Sequence, residues 1–158
     1  MTSDAPLSLH QETVRAEWID YNGHMSEAFY VLVFGNATDA LYDHIGLDAD
    51  YRTASGCSAY TVEAHIHYLH EVAPGSALRC ETRILGFDAK RLHIHHDLFA
   101  DDVCSAAIEI MALHYDTAAG RVIPLPADIH RRLAGCPSGP PPQPASRALA
   151  IATTTAGP

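Results

Sequence analysis

The residues best equipped for chemistry stand together in one polar loop, Asp20-Tyr21-Asn22-Gly23-His24. Directly after it, Tyr30, Val33, Phe34, Ala37, Leu41 and Ile45 recur at spacings of three and four, which predicts one apolar face of a helix over 26–45. Ser26 is the expected N-cap and Gly46 the expected terminator. Asp20 therefore sits just ahead of a helix N-terminus, where unpaired backbone N–H groups stabilise negative charge. A carboxylate so placed can attack a carbonyl carbon and form an anhydride, or take a proton from water. The first-turn amides near Glu27 and Ala28 would then serve as donors to the developing oxyanion. Gly23 lets the backbone turn tightly into the helix. Each residue also has a plainer reading. Asp20 can be a cap or turn residue, Asn22 can make an Asx-turn rather than orient water or substrate, and His24 can pin the loop rather than assist the carboxylate. Tyr30 reads as core.

Outside the loop, Glu63 is the second carboxylate of interest: a solvated strand residue, or a site residue if a second copy brings a loop beside it. Eleven histidines include the pairs His65/His67 and His93/His95. An H-x-H pair can ligate a metal, but no Cys, Asp or Glu framework at ligand spacing accompanies these pairs. They read as exposed or interface histidines, and no metal is expected. Lys90 and Arg91, with Arg79 and Arg83, are the cations available to an anionic ligand, or are solvated strand ends.

The elements that must position these groups follow from the hydrophobic period. Residues 14–18 alternate and predict a short strand before the loop. Gly35 inside the helix costs helix propensity, and close approach to a sheet would compensate. Beyond the helix the period changes to two. In 60–69, Tyr60, Val62, Ala64, Ile66 and Tyr68 are expected on one face, with Thr61, Glu63, His65 and His67 on the other. Further strands near 77–86, 91–99 and 104–115, joined by short loops, predict an antiparallel meander, and a short helix near 126–133 closes the domain. The class is α+β.

Composition narrows the function. The 158 residues carry ten Lys+Arg against nineteen Asp+Glu, a formal net charge of −9. That excludes a dedicated nucleic-acid binder and docking on anionic lipid, while leaving room for an anionic ligand held by a few local cations. No apolar run is long enough to cross a membrane. The N-terminal residues lack the pattern of a secretory signal, so a cytoplasmic location is expected. Cys57, Cys80, Cys104 and Cys136 form no C-x-x-C pair, which argues against a zinc ribbon or a thioredoxin-like motif. From Cys136 onward Pro and small residues dominate, so a working domain over 1–135 and a tail over 136–158 are expected.

The stretch Trp18-Ile19-Asp20-Tyr21-Asn22-Gly23-His24-Met25-Ser26-Glu27-Ala28-Phe29-Tyr30 resembles the active-site segment of the hot-dog-fold acyl-CoA thioesterases. In the 4-hydroxybenzoyl-CoA thioesterase-like branch that segment reads approximately D-x-x-G-H-[VM]-[NS]-[NE]-x-x-Y. The similarity spans about residues 12–130, and His70-Glu71-Val72-Ala73-Pro74-Gly75 resembles a turn of the same family. Within the family, Phe34-Gly35-Asn36-Ala37-Thr38-Asp39-Ala40, Tyr60-Thr61-Val62-Glu63-Ala64-His65-Ile66 and Asp88-Ala89-Lys90-Arg91-Leu92-His93 are similar to the betainyl-CoA thioesterases of carnitine breakdown.

The resemblance implies a hot-dog fold, an antiparallel sheet wrapped around one long central helix, in a homodimer or homotetramer. It implies hydrolysis of a small acyl-CoA with no cofactor beyond that substrate. Catalysis would fall to Asp20, His24, Asn22 and Glu63. Substrate contacts would come from Gly23, Glu27, Trp18, Tyr21 and Tyr60, and the CoA phosphates from Lys90 and Arg91. A trimethylammonium acyl end would favour aromatic faces, of which Trp18, Tyr21, Phe29, Tyr60 and Tyr68 are available, beside a carboxylate. Hydrolysis of another acyl-CoA or of an acyl carrier protein, and acyl-CoA binding without hydrolysis, are the alternatives.

Overall fold

A computed structural model describes residues 5–139. Strand β1 (Leu7–Thr13) and a 3₁₀ turn (Ala16–Trp18) lead through the polar loop into helix α1 (Glu27–Ile45). Helix α2 (Ala49–Ser55) then feeds β2 (Cys57–Tyr68), β3 (Ala77–Phe87), β4 (Arg91–Ala100), β5 (Val103–Asp116), the short β6 (Arg121–Val122) and α3 (Ala127–Ala134). The sheet is antiparallel with strand order β1-β3-β4-β5-β2, and β6 pairs with β5. One long helix against the face of this sheet is the hot-dog layout that the resemblance implies.

The helix forms where its period places it. Tyr30, Val33, Phe34, Ala37, Leu41 and Ile45 are all buried, and Gly46 ends the helix in the left-handed region at φ 89°. They meet Leu78, Cys80 and Ile84 of β3, Leu92, Ile94 and Leu98 of β4, and Ile108, Ile110 and Ala112 of β5 in one core. Each large aliphatic side chain removed from water there contributes roughly 1.5–3 kcal/mol. His96 also points into this core. Thr38 Oγ1 donates to Phe34 O at 2.9 Å, so it accepts from His96 Nε2 at 3.0 Å, while Thr82 Oγ1 donates to Nδ1 at 2.8 Å. Burial holds the imidazole neutral, with its pKa pushed down to about 3.

Four expectations are corrected. The first strand is Leu7–Thr13 rather than 14–18. Its alternation is mostly polar because, among the described residues, β1 is an edge strand paired only with β3, whereas buried Trp18 closes a 3₁₀ turn. The meander covers only β3-β4-β5, since β2 crosses over to pair with β5. Within β2 the pairing skips Val62, from Thr61↔Ala112 to Glu63↔Met111. This bulge shifts the alternation by one residue. Ala59 and Thr61 before it share the α1 side with Ala64 and Ile66 after it, while Tyr60 turns to the outer face and meets Tyr115 in a tilted ring contact at 5.0 Å. Finally, a Cβ at Gly35 would meet nothing within 4 Å, so this glycine borders open space and not a close sheet. Helix α2, capped by Asp48 Oδ1 accepting from Tyr51 N at 2.8 Å, has no counterpart in the sequence reading.

Residues 136–138 run along the end of β3, where Ile84 N donates to Pro137 O at 3.0 Å and Ile84 bridges to Ser138. The expected tail beyond 139 lies outside the described residues.

Candidate functional site

The loop ahead of α1 is closed by its own backbone. Ser26 N donates to Trp18 O at 2.9 Å, Asp20 N to His24 O at 3.0 Å and Gly23 N to Asp20 O at 3.0 Å. Gly23 takes φ 81°, a conformation that a side chain would strain. Asn22 N donates to Asp20 Oδ1 at 2.8 Å, an Asx-turn made by the aspartate itself. Trp18 is buried beneath the loop and stacks on Phe29 at 5.4 Å, with Arg15 over its ring at 5.2 Å. The half-buried Asp20 is thus fixed between a packed indole and the start of α1.

The helix start is open. Ser26 occupies the N-cap position, but its hydroxyl makes no capping hydrogen bond. No side chain among the described residues caps the Glu27 and Ala28 amides, so the first turn presents free donors where the Asp20 loop enters the helix. That pairing suits a carbonyl under attack: the carboxylate, or a water it activates, adds to the carbon while the amides receive the oxyanion.

A second segment borders this loop. Met25 N donates to Val72 O at 2.9 Å and Tyr30 Oη to His70 O at 3.1 Å, which ties the loop to the β2–β3 connection. Through these ties His24 Nε2 comes within 3.4 Å of Glu71 Oε2. Tyr30 and Tyr68 meet edge to face at 5.1 Å. The Tyr30 phenol is raised above its ordinary pKa, first by burial, then by the negative charges of Glu71 and, more weakly, Asp20. Glu71 carried no signal of its own in the sequence, because its contact with His24 is made only across the fold.

The other expected residues separate into two groups. Glu27 stands exposed in the first turn, and Tyr21 points to solvent at 98% exposure. Glu63 is exposed on the sheet face opposite α1, paired with Met111, so its own chain does not bring it to the Asp20 loop. Tyr60 is on that same outer face. Lys90 and Arg91 form the β3–β4 turn, where Arg91 is paired with Asp88 at 2.6 Å. Arg91 aligns with Leu113 and Leu113 with Tyr60, which places this turn about 25 Å of strand away from Tyr68 and the site end of the sheet.

The histidines of the outer face are not exposed, contrary to the sequence reading. His93 and His95 are each 5% exposed; His93 Nε2 lies 3.3 Å from Glu109 Oε2, and His95 Nε2 lies 2.9 Å from Asp97 Oδ1. Among the described residues, no three His, Cys, Asp or Glu side chains gather as a metal site. No helix among them is long and apolar enough to cross a membrane.

The comparisons with known proteins agree with this geometry. The family model of the thioesterase-like superfamily matches residues 14–133. An Agrobacterium fabrum protein named L-carnitine dehydrogenase/betainyl-CoA thioesterase is 53% identical over 132 residues, 83% of this chain. The chain spans only 27% of that relative's length. The betainyl-CoA thioesterase of Pseudomonas aeruginosa is 45% identical over 129 residues, 80% of this chain and 81% of that protein. Among solved structures, a Staphylococcus aureus protein in complex with CoA superposes with a TM-score of 0.82 at 25% identity, covering 96% of this chain and 100% of that one.

Proposed function

The chain belongs to the thioesterase-like superfamily, and from that footing we propose that it hydrolyses a small acyl-CoA, with betainyl-CoA giving betaine and free CoA as the preferred reaction. The observation that carries the reading is Asp20 locked by the Asn22 amide directly before an uncapped helix start. In the reaction the thioester carbonyl lies between Asp20 and the Glu27 and Ala28 amides. Asp20 either adds to the carbonyl carbon, giving an anhydride that water opens, or deprotonates the water that adds. Either path breaks the carbon–sulfur bond and releases the CoA thiolate. His24, positioned by Glu71, orients the carbonyl or the carboxylate. The names of the Agrobacterium fabrum and Pseudomonas aeruginosa relatives support the betainyl group.

A homodimer completes the site in this reading. Among the described residues strand β2 pairs only with β5, leaving its twelve-residue outer edge open. Between it and α1 runs a groove of about 670 Å³ lined by Ala28, Val31, Leu32, Gly35, Tyr42 and Ala64 among others. Val31 and Leu32 are 51% and 46% exposed there. Closed two-fold pairing is the common remedy for such an edge. If two β2 edges pair antiparallel, the Cys57 end of one meets the Tyr68 end of the other. Lys90 and Arg91 of one chain then approach the Asp20 loop of the second, where CoA phosphates need cations. The four cysteines are unpaired, which supports a reducing, cytoplasmic location.

The test is thiol release from a panel of acyl-CoAs at equal concentration. The reading expects betainyl-CoA to have the highest kcat/KM. Release from other acyl-CoAs alone would leave a thioesterase of different specificity, and release from none would remove the enzymatic reading.

A further inference from the structure

A permanently charged acyl end needs a place to sit, and bond geometry limits where. In betainyl-CoA a single methylene separates the ammonium nitrogen from the thioester carbonyl, so the cation lies about 2.5 Å from the reacting carbon. Groups that recognise it must therefore border the Asp20 loop itself. Within its own chain, Glu63 on the opposite sheet face does not border that loop.

One hollow does. It has a volume of about 260 Å³ and lies between the start of α1 and the β2–β3 connection, lined by Met25, Glu27, Tyr30, Tyr68, His70 and Glu71 among others. No Lys or Arg lines it. Tyr30 and Tyr68 stand edge to face at 5.1 Å, and Tyr68, 46% exposed, keeps part of its ring uncovered. Tyr68 Oη donates to Glu27 O at 3.4 Å, which holds the ring beside the first turn of α1. Glu71 faces the same loop through His24. The charges of Asp20 and Glu71 are both felt at the Tyr30 phenol. Aromatic rings next to carboxylates, with no Lys or Arg among the lining residues, form the environment that binds a quaternary ammonium: the ring quadrupole attracts the charge without demanding a hydrogen bond that such a group cannot donate.

We propose that this hollow is the subsite for the acyl ammonium group, with the Tyr30 and Tyr68 rings as its walls and Glu71 and Glu27 as its countercharges. The proposal rests on the reading that the thioester carbonyl sits at Asp20. It explains a feature that catalysis alone does not need, the gathering of two tyrosines and two glutamates at one end of the central helix. It also assigns acyl selectivity to the β2–β3 connection, which contributes Tyr68 and Glu71.

The experiment compares betainyl-CoA with 3,3-dimethylbutyryl-CoA, which has nearly the same shape and lacks the charge. The kcat/KM ratio of the two substrates is measured for the wild-type chain and for Tyr68→Leu, Tyr68→Phe and Glu71→Gln. The wild type is expected to favour the cation at least ~10-fold. Tyr68→Leu and Glu71→Gln should each cut that ratio at least ~3-fold, while Tyr68→Phe, which keeps the ring, restores most of it. Glu71 is exposed, so Glu71→Gln does not put the fold at risk. A wild-type preference that persists unchanged in Tyr68→Leu and Glu71→Gln overturns the subsite and leaves the proposed substrate standing. A wild-type ratio near one overturns the betainyl reading and the subsite with it.

Discussion

The backbone amide of Asn22 donates to Asp20 Oδ1 at 2.8 Å, so one carboxylate oxygen closes the loop while the other has no hydrogen bond from any described residue. In the proposed reaction this division of labour makes the aspartate both scaffold and reactive group. The held oxygen fixes the direction of the second one. Because the bond comes from a main-chain amide, the Asn22 side chain is not required for it.

The loop geometry depends on Gly23 at φ 81°. Gly23→Ala has space for its methyl group, since nothing lies within 4 Å, but forces an L-residue into the left-handed region at a cost of roughly 1–2 kcal/mol. Thermal unfolding should report a loss of that order. The kcat should fall as well, because the Asp20-to-Gly23 turn aims the carboxylate. Unchanged stability and turnover would show that the turn tolerates any residue.

His96 sets a pH dependence of folding. Its folded pKa is pushed from 6.5 to about 3 by burial, so below pH 6.5 the unfolded chain takes up a proton that the folded chain refuses. This contribution to stability is complete above about pH 6.5 and is lost as pH falls towards 3, with a slope of up to ~1.4 kcal/mol per unit from this group. Urea midpoints at pH 7 and pH 5 measure it. In His96→Gln that part of the slope should disappear, even though the variant starts less stable.

The strand-edge groove makes a prediction about assembly. Gly35 is exposed on the groove and a Cβ there meets nothing, so Gly35→Phe is tolerated by a lone chain and blocks a partner. Sedimentation at micromolar concentration should give a multiple of the 17.1 kDa chain mass for the wild type and a shift towards the single-chain mass for Gly35→Phe. An unchanged mass would place the contact elsewhere.

What the sequence disclosed follows from how local each feature is. Asp20, Gly23, Ser26 and the Tyr30-to-Ile45 stripe lie on one continuous stretch, so the loop, the helix and the candidate reactive group could be read together. The phase of β2 could not, because the extra residue at Val62 is defined by its pairing with β5 and not by its own side chain. That single bulge moved Tyr60 from the expected inner face to the outer one. The pairing of His24 with Glu71 was equally hidden, since it depends on the Met25 amide reaching the Val72 carbonyl across the fold. The ion pair of His95 with Asp97 lies within β4, but that of His93 with Glu109 crosses to β5, which spacing within β4 does not show.

The central claim is that the Asp20 carboxylate performs the chemical step, and steady-state turnover of Asp20→Asn on betainyl-CoA tests it most directly. The amide keeps an oxygen to accept the Asn22 hydrogen bond, so the loop retains its closure while the nucleophile or base is lost. A folded Asp20→Asn protein with kcat reduced at least ~100-fold is the predicted result. A folded variant that turns over at close to the wild-type rate would contradict it.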